Sequence, residues 1–337
     1  MSNTTMLDVA KYAGVSVATV SRVLNGSDLV SEATRQKVLK VCEELEYTLN
    51  PIAQSLRLGR TNSVAAILPF LTLPSIVERL RGVMASLSEN SFELVPFTLG
   101  TPNDRDSKIT ELSHRSKTDG ILIISMPVSD TQVDLLIRNK MPTVLIDSQH
   151  PKLDRINVDD RCGGKMVTDY LIGLGHRKIG FISSYLENPL QFSSTIYRFE
   201  GYRDALKEAG LPFNPNYQKE GEHGRDQAKQ MALEMLSHED PPTAIFTSSD
   251  TKAIGVLDAA RELNLNVPGD LSVVGYDDIR DAEYMNLTTV RQPLFKAGRI
   301  GGRKLISLIE KPDTSPEEIL LPLELIIRGT TAPPPNN

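Results

Sequence analysis

Ser16, Thr19, Ser21, Arg22 and Asn25 fall within ten residues of one another, in the stretch VSVATVSRVLNG that runs from Val15 to Gly26. Short hydroxyl and amide side chains exchange hydrogen bonds with phosphate oxygens, and an arginine presents two parallel N–H groups to the edge of a guanine. Val17 and Ala18, between them, are small enough to meet a thymine methyl. A solvated helix would carry Glu and Lys at such positions. Here Lys11 and Arg22, both positive, are the charges between Val9 and Asp28. The residue types fit a surface that lies against a duplex, although a helix pair inside a bundle has the same periodicity, and spacing alone leaves the two readings level.

A second set of polar residues stands after apolar runs. Asp147 follows TVLI, Ser249 and Asp250 follow AIFT, and Asp277 and Asp278 follow VVGY. If these runs are parallel strands, the residues after them border the crevice where α/β sheets bind ligands. Carboxylates and hydroxyls there suit sugar hydroxyls, each of which donates or accepts in a fixed direction. Competing roles exist: Asp250 as the N-cap of a helix over 251–263, and Asp278 as the cap of the next turn. Catalytic and metal chemistry find less support. The chain has five histidines and two cysteines, no glycine-rich phosphate loop and no nucleophile elbow. Asp159-Asp160 and the Asp277, Asp278, Asp281 group read more naturally as caps or solvated charge than as a cation site. We therefore expect no catalytic residue, no metal and no cofactor.

The elements that must position these residues follow from periodicity. Val9, Ala10 and Ala13 have helical spacing, and Gly14 ends that helix where a left-handed residue is needed. Ser16 can cap the next helix, whose inner face is Val20, Val23 and Leu24. A third helix starts at Ser31, with Val38, Val41, Cys42 and Leu45 on one face. Asn50-Pro51 then opens a segment closed by Gly59, too short to be a stable lone helix and better read as one that forms on a template. From Asn62 onward short apolar runs alternate with amphipathic helices through two successive series, which predicts two doubly wound parallel sheets.

Bulk properties agree. At 337 residues the chain exceeds one compact core, and 40% hydrophobic with 24% charged residues is ordinary for a globular protein. The net charge is −6, but residues 1–60 hold seven Lys/Arg against six Asp/Glu, so the acidity lies in the remainder. Two distant cysteines, no basic-apolar leader and no apolar run near the ~20 residues of a membrane span point to a cytoplasmic protein.

LDVAKYAGVSVATVSRVLNG, VSEATRQKV and YTLNPIAQSLRLGRTNSV, and later GLGHRKIGFIS, RFEGYRDAL, PTAIFTSSD, DLSVVGYDD and TTVRQP, together resemble the LacI/GalR family of bacterial transcription regulators over nearly the whole chain. The resemblance implies a homodimeric, ligand-responsive DNA-binding regulator of repressor type on an inverted-repeat operator. It implies a helix-turn-helix domain over 1–48, a hinge helix over 49–60 and an effector-binding core over 61–332 with the fold of periplasmic binding proteins. The core would divide into subdomains of about 61–160 plus 292–320 and about 161–290 plus 321–332, with a disordered tail over 333–337. Val17, Ala18 and Arg22 match base-reading positions; Ser16, Thr19, Ser21, Asn25 and Tyr47 match backbone contacts. Asn50, Ala53 and Leu56 match the hinge, where paired leucines wedge into the minor groove. Asp147, Arg198, Ser249, Asp250, Asp277 and Gln292 match the effector pocket, and His223 falls where pocket-lining residues occur. His176 matches a structural turn. The sequence departs from the family at Thr48, often proline, at Ser249, usually asparagine, and at Leu73-Pro74-Ser75-Ile76, commonly Asn-Pro-Phe-Phe; Phe70 is the nearby aromatic. A sugar effector is the first expectation, with a purine or nucleoside, or a solute-binding role, as alternatives.

Overall fold

The computed structural model describes residues 4–24, 27–47, 60–114, 117–187, 193–312 and 315–335, which form two compact units, Met1–Thr61 and Asn62–Asn337.

In the first unit, helix α1 (Met6–Ala13) opens with a capping box. The Thr5 side chain accepts from the Asp8 N–H, and the Asp8 carboxylate accepts from the Thr5 N–H. Gly14 ends it at φ 59°, a left-handed cap cheap for glycine. Helix α2 (Val17–Leu24) starts on Ser16, whose Oγ accepts the Thr19 N–H at 3.1 Å, and α3 (Glu32–Glu44) starts on Ser31 in the same way. Arg35 on α3 donates to the Ser27 carbonyl at 2.7 Å, fixing the loop after α2. Val9, Ala10, Ala13, Val20, Val23, Val38 and Cys42 fill the small core. This burial leaves the opposite face of α2 to solvent.

The second unit contains two six-stranded sheets. The first has β1 (Ser63–Leu68), β2 (Glu93–Thr98), β3 (Gly120–Ile124), β4 (Thr143–Ile146), β5 (Asp154–Asn157) and β11 (Glu318–Leu320), in the order β11-β5-β4-β3-β1-β2. The second has β6 (Ile179–Ser184), β7 (Gln218–Gly221), β8 (Ala244–Thr247), β9 (Ser272–Asp277), β10 (Thr288–Arg291) and β12 (Glu324–Ile326), in the order β12-β10-β9-β8-β6-β7. All pairings are parallel except the one between β10 and β12.

Helices cover both faces of each sheet, as buried parallel sheets require. Around the first are α4 (Pro74–Ser88), α5 (Pro102–Leu112), α6 (Asp130–Arg138) and α12 (Leu294–Glu310). Around the second are α7 (Asp160–Gly173), α8 (Ser193–Glu208), α9 (Arg225–Leu236) and α10 (Asp250–Glu262), with the short α11 (Arg280–Tyr284) beyond β9. β3 and β4 are buried at every residue, while the edge strand β2 is exposed and carries Pro96, which a central strand would not tolerate. The chain passes between the sheets three times: from β5 to α7, from β10 to α12 and from β11 to β12.

Glycines set how closely the helices approach. A Cβ on Gly82 of α4 would lie 2.0 Å from the Phe295 carbonyl oxygen of α12, and one on Gly298 of α12 would lie 1.9 Å from that of Arg79. In the other lobe Gly201 of α8 faces the Arg161 carbonyl and Gly164 of α7 that of Arg198, with corresponding gaps of 2.0 and 2.1 Å.

One expectation changes and another stands. Residues 333–335 are ordered: Pro334 lies beside Gly175, and the Ala332 carbonyl before them accepts from Ser272 at 3.0 Å, so disorder does not extend over the prolines. His176, 1% exposed, sits within hydrogen-bond distance of Thr243, Ser272 and the Ala332 carbonyl, the structural role expected of it.

Gly298→Val has no space for its side chain against the α4 backbone. We expect it to destabilise the core by about 1–3 kcal/mol or more, the cost of overpacking, measured as a lowered melting temperature in thermal denaturation.

Candidate functional site

The exposed face of α2 carries Ser16, Val17, Ala18 and Arg22, with Thr19 and Ser21 half-buried beside them. Ser16 is committed to its cap and lies 2.9 Å from the Thr19 hydroxyl, so the two hydroxyls form one small polar cluster at the helix start. Val17, 39% exposed, is an unusual place to leave an aliphatic side chain, and Leu7 and Tyr12 on α1 are more exposed still, at 66% and 70%. Sequence reasoning passed over those two because helical periodicity assigns residues to a core and says little about what an outer apolar residue meets. Tyr47 is half-buried, and its N–H bonds the Cys42 carbonyl at 2.8 Å. Asn25, Asn50, Ala53 and Leu56 lie outside the described residues, as does Thr48.

The second site lies in the core unit, at the carboxyl ends of both sheets. A cleft with about 630 Å³ of free space, part of it open to solvent, is lined from one lobe by Arg79, Ser125 and Asp147 and from the other by Arg198, Ser249 and Asp277. Leu73, Pro74, Ser75 and Ile76, the stretch that departs from the family pattern, form another wall. Three of the strand-end residues hold a backbone that L-residues seldom adopt: Ser125 at φ 53°, Asp147 at 55° and Asp277 at 116°. Gln292, between β10 and α12, also lines the cleft.

Arg198 is 5% exposed and fully engaged on one side. Its Nε donates to Asp160 Oδ1 at 2.7 Å, its Nη1 donates to the Ser248 carbonyl at 2.6 Å, and its guanidinium lies 3.8 Å from the centre of the Tyr276 ring. Asp277 lies 3.8 Å from the same guanidinium and accepts from the Gln292 amide at 2.6 Å. Burial raises the Asp160 carboxyl to about 6 despite the Arg198 charge, and it raises Asp277 as well. Across the cleft, Asp147 accepts from the Ser125 hydroxyl at 2.6 Å and from Arg79 Nη2 at 3.1 Å. Arg79 also donates to Gln292 Oε1 at 3.3 Å. Gln292 thus joins the lobes through side chains.

His223 and Phe70 stack across the mouth, with ring centres 6.2 Å apart and an interplanar angle of 26°. His223 Nδ1 lies 2.9 Å from the Ser184 hydroxyl. Burial, followed by the charges of Lys252 and Arg198, pushes the imidazole down to about 4, so it is neutral at physiological pH. Outside the ring pair a shallower basin continues past Thr72, Arg225 and Asp281. Ser249 faces the cleft with its hydroxyl unbonded among the described residues.

Asp250 is misplaced by the sequence reading on both counts. It is fully buried outside the cleft lining, accepting from the Ile279 N–H at 2.8 Å and from the Thr289 hydroxyl, while Ser249 takes the N-cap position of α10. Burial, with Asp277 beside it, raises its carboxyl well above the usual range. The strand-end rule locates a residue but not the direction of its side chain. Asp278 neither caps nor lines the cleft; it pairs with Arg291 and Arg328, each at 2.7 Å. Arg79, Ser125, Asp160 and Tyr276 were missed. Arg79 lies on a helix among apolar core residues, where nothing in periodicity marks a cation as functional.

Comparison with known proteins finds matches in both units of the chain. Residues 5–50 match the family described as bacterial regulatory proteins, lacI family, and residues 168–331 match a periplasmic binding protein-like domain. The ribose operon repressor of Escherichia coli strain K12 is 34% identical over 331 residues, covering 97% of this chain and 99% of its own. A structure of the lac repressor dimer bound to operator and the anti-inducer ONPF has a TM-score of 0.85 at 27% identity, covering 98% of this chain and 100% of that one. The complex of the transcriptional regulator CelR with cellobiose has a TM-score of 0.71 at 30% identity, covering 97% and 99%.

The low value for His223 has a pH consequence. In the unfolded chain a histidine binds its proton near pH 6.5, whereas the folded site binds it only near 4. Below about 6.5 the proton therefore favours unfolding, and this penalty grows as pH falls towards 4. His223→Gln should lose less melting temperature between pH 7 and pH 5 than wild type does. In NMR spectra of wild type, the imidazole nitrogens of the resonance absent from His223→Gln should report a neutral ring at pH 5.5.

Proposed function

The chain belongs to the LacI family of bacterial regulatory proteins, and from that premise we infer which of its residues meet DNA and which meet the effector. The protein is a ligand-responsive, sequence-specific DNA-binding transcriptional repressor. It binds an inverted-repeat operator as a homodimer, and its core takes a small molecule.

Val17, Ala18 and Arg22 read bases in the major groove, while Thr19, Ser21, Asn25 and Tyr47 contact the backbone. Ser16 contributes chiefly by capping α2, which aligns the N-terminal N–H groups of that helix towards phosphate. Asn50, Ala53 and Leu56 act at the centre of the operator, with Leu56 as an apolar wedge. The observation that supports the assignment is the exposed face of α2, which offers small residues and one arginine where a solvated helix would offer ion pairs.

The effector is a sugar held between the lobes by Asp147, Arg198, Ser249, Asp277 and Gln292, with His223 and Phe70 at the mouth. Two relatives support this reading by name or by bound ligand: the ribose operon repressor and the cellobiose complex. Asp250 stays outside the contact set, as its burial requires. A sugar can change operator affinity only as far as it binds the two core conformations unequally. The protein is a regulator rather than an enzyme. It acts where the chromosome is, in the cytoplasm, and no described helix is long and apolar enough to cross a membrane.

Two substitutions separate the sites. Arg22→Ala should weaken binding to the specific operator by about 1–3 kcal/mol, the worth of a bidentate base contact, in fluorescence anisotropy, and should leave the sugar-induced rise in melting temperature unchanged. Arg198→Ala should abolish that rise. For wild type, the logarithm of operator affinity should fall linearly with the logarithm of salt concentration as counterions are released. A salt-independent affinity, or equal affinity for scrambled duplexes, would contradict the DNA assignment.

A further inference from the structure

Arg79 is a buried cation to which the sequence resemblance assigned no role. The two lobes of the core repeat one another, and the repeat shows what this residue does. In sheet order β1 stands where β6 stands, and β4 where β9 stands. Helix α4 follows β1 and α8 follows β6, and each carries an arginine with a glycine three residues later: Arg79 and Gly82, Arg198 and Gly201.

Both helices meet a second helix at equivalent points. Gly82 approaches the Phe295 carbonyl and Gly298 that of Arg79; Gly201 approaches the Arg161 carbonyl and Gly164 that of Arg198. This register matches Arg79 to Arg198, Phe295 to Arg161 and Leu294 to Asp160. At the strand ends, Asp147 directly after β4 matches Asp277 at the end of β9, and both have positive φ. Each lobe therefore places one guanidinium and one carboxylate on the wall of the same cleft.

The repeat is broken where Arg198 has its acidic partner. Arg198 Nε donates to Asp160, but the matching position in the other lobe is Leu294. Arg79, only 4% exposed, leaves its buried Nε without a hydrogen-bond partner among the described residues. An unbonded N–H on a buried guanidinium is costly, and Arg79 is less committed to protein partners than Arg198.

We propose that Arg79 and Asp147 form a second sugar-binding pair, the counterpart of Arg198 and Asp277, and that the effector is an uncharged sugar held by hydroxyls on two edges. This rests on the sugar-effector reading above. A guanidinium donates to hydroxyl oxygens while the neighbouring carboxylate accepts a hydroxyl proton, so each pair suits adjacent hydroxyls. Gln292 accepts from Arg79 and donates to Asp277, so a single amide joins the two pairs. Charge selects a neutral ligand. Asp147, Asp160 and Asp277 face the Arg79 and Arg198 guanidinium groups, with the Lys252 charge also acting at His223, so carboxylates and cations balance and an acidic or phosphorylated sugar would unbalance them.

Titration calorimetry on the full chain tests this. The probes are neutral pentoses and hexoses, their uronic and aldonic acids, their phosphates and cellobiose, followed by monodeoxy forms of the best binder. A neutral sugar should bind tightest. Arg79→Met should weaken it about ten- to a hundredfold, the effect of removing hydrogen bonds from a charged donor, with circular dichroism confirming the fold. If Arg79→Met does not fold, Arg79→Lys, which keeps the charge and loses the fork, should still weaken binding. One monodeoxy form should bind wild type and the Arg79 variant equally, because it lacks the hydroxyl that Arg79 reads, and should remain sensitive to Arg198→Met. Unchanged affinity in the Arg79 variants, or tighter binding of an acid or a phosphate than of the neutral sugars, overturns the second pair or its ligand class. Failure of every sugar to bind wild type is a different result: it removes the sugar-effector reading itself, and the pair with it.

Discussion

Charge withdrawn from water is the constraint on which the core is organised. Arg79 and Arg198 are 4% and 5% exposed, and Asp160 and Asp277 are each 6% exposed. Desolvating such groups costs several kcal/mol per ion, recovered only where geometry and hydrogen bonds are good. Around Arg198 the recovery is thorough: Asp160 on Nε, the Ser248 carbonyl on Nη1 and the Tyr276 ring beneath. These partners come from α7, the end of β8 and β9, so holding one guanidinium fixes three elements relative to α8. The close helix contacts at Gly164 and Gly201 are what bring α7 and Asp160 within reach.

The cleft walls gain a second property from the same arrangement. Strand-end residues with positive φ and neutral His223 keep polar groups pointed into space that protein atoms do not fill. Buried near them, the Ser249 hydroxyl and the Arg79 Nε have no hydrogen-bond partner among the described residues. Gln292 ties the two charge systems directly, donating to Asp277 and accepting from Arg79. A ligand that competes for either end of this amide changes what the lobes share, which is the differential interaction that a conformational switch requires.

The DNA-binding unit obeys a different economy. Its core is small, and much of its definition comes from caps: Thr5 with Asp8, Gly14, Ser16 and Ser31. Local hydrogen bonds of this kind set helix starts and stops without needing a large buried area. They leave Val17, Ala18 and Arg22 exposed on the outer face of α2, so that face can be composed for a duplex.

Local patterns carry the parts that depend on neighbours in sequence. Alternating apolar runs and amphipathic helices announced two parallel sheets, because burial on both faces demands such runs. Gly14 and Ser16 marked the turn of α1 and α2, because left-handed backbone and capping oxygens are requirements of adjacent residues. Arg198 and the strand-end residues Asp147, Ser249 and Asp277 were legible as cleft residues from motif and topology. Asp250 differs from Ser249 by one position yet points away from the cleft, to Ile279 and Thr289, which are 29 and 39 residues distant. Arg79, surrounded in sequence by helix-core residues, reaches the cleft only because α4 packs on α12 through Gly82 and Gly298. Side-chain direction and the pairing of buried charges come from contacts between segments far apart in the chain, and a linear pattern holds no record of which segments will meet.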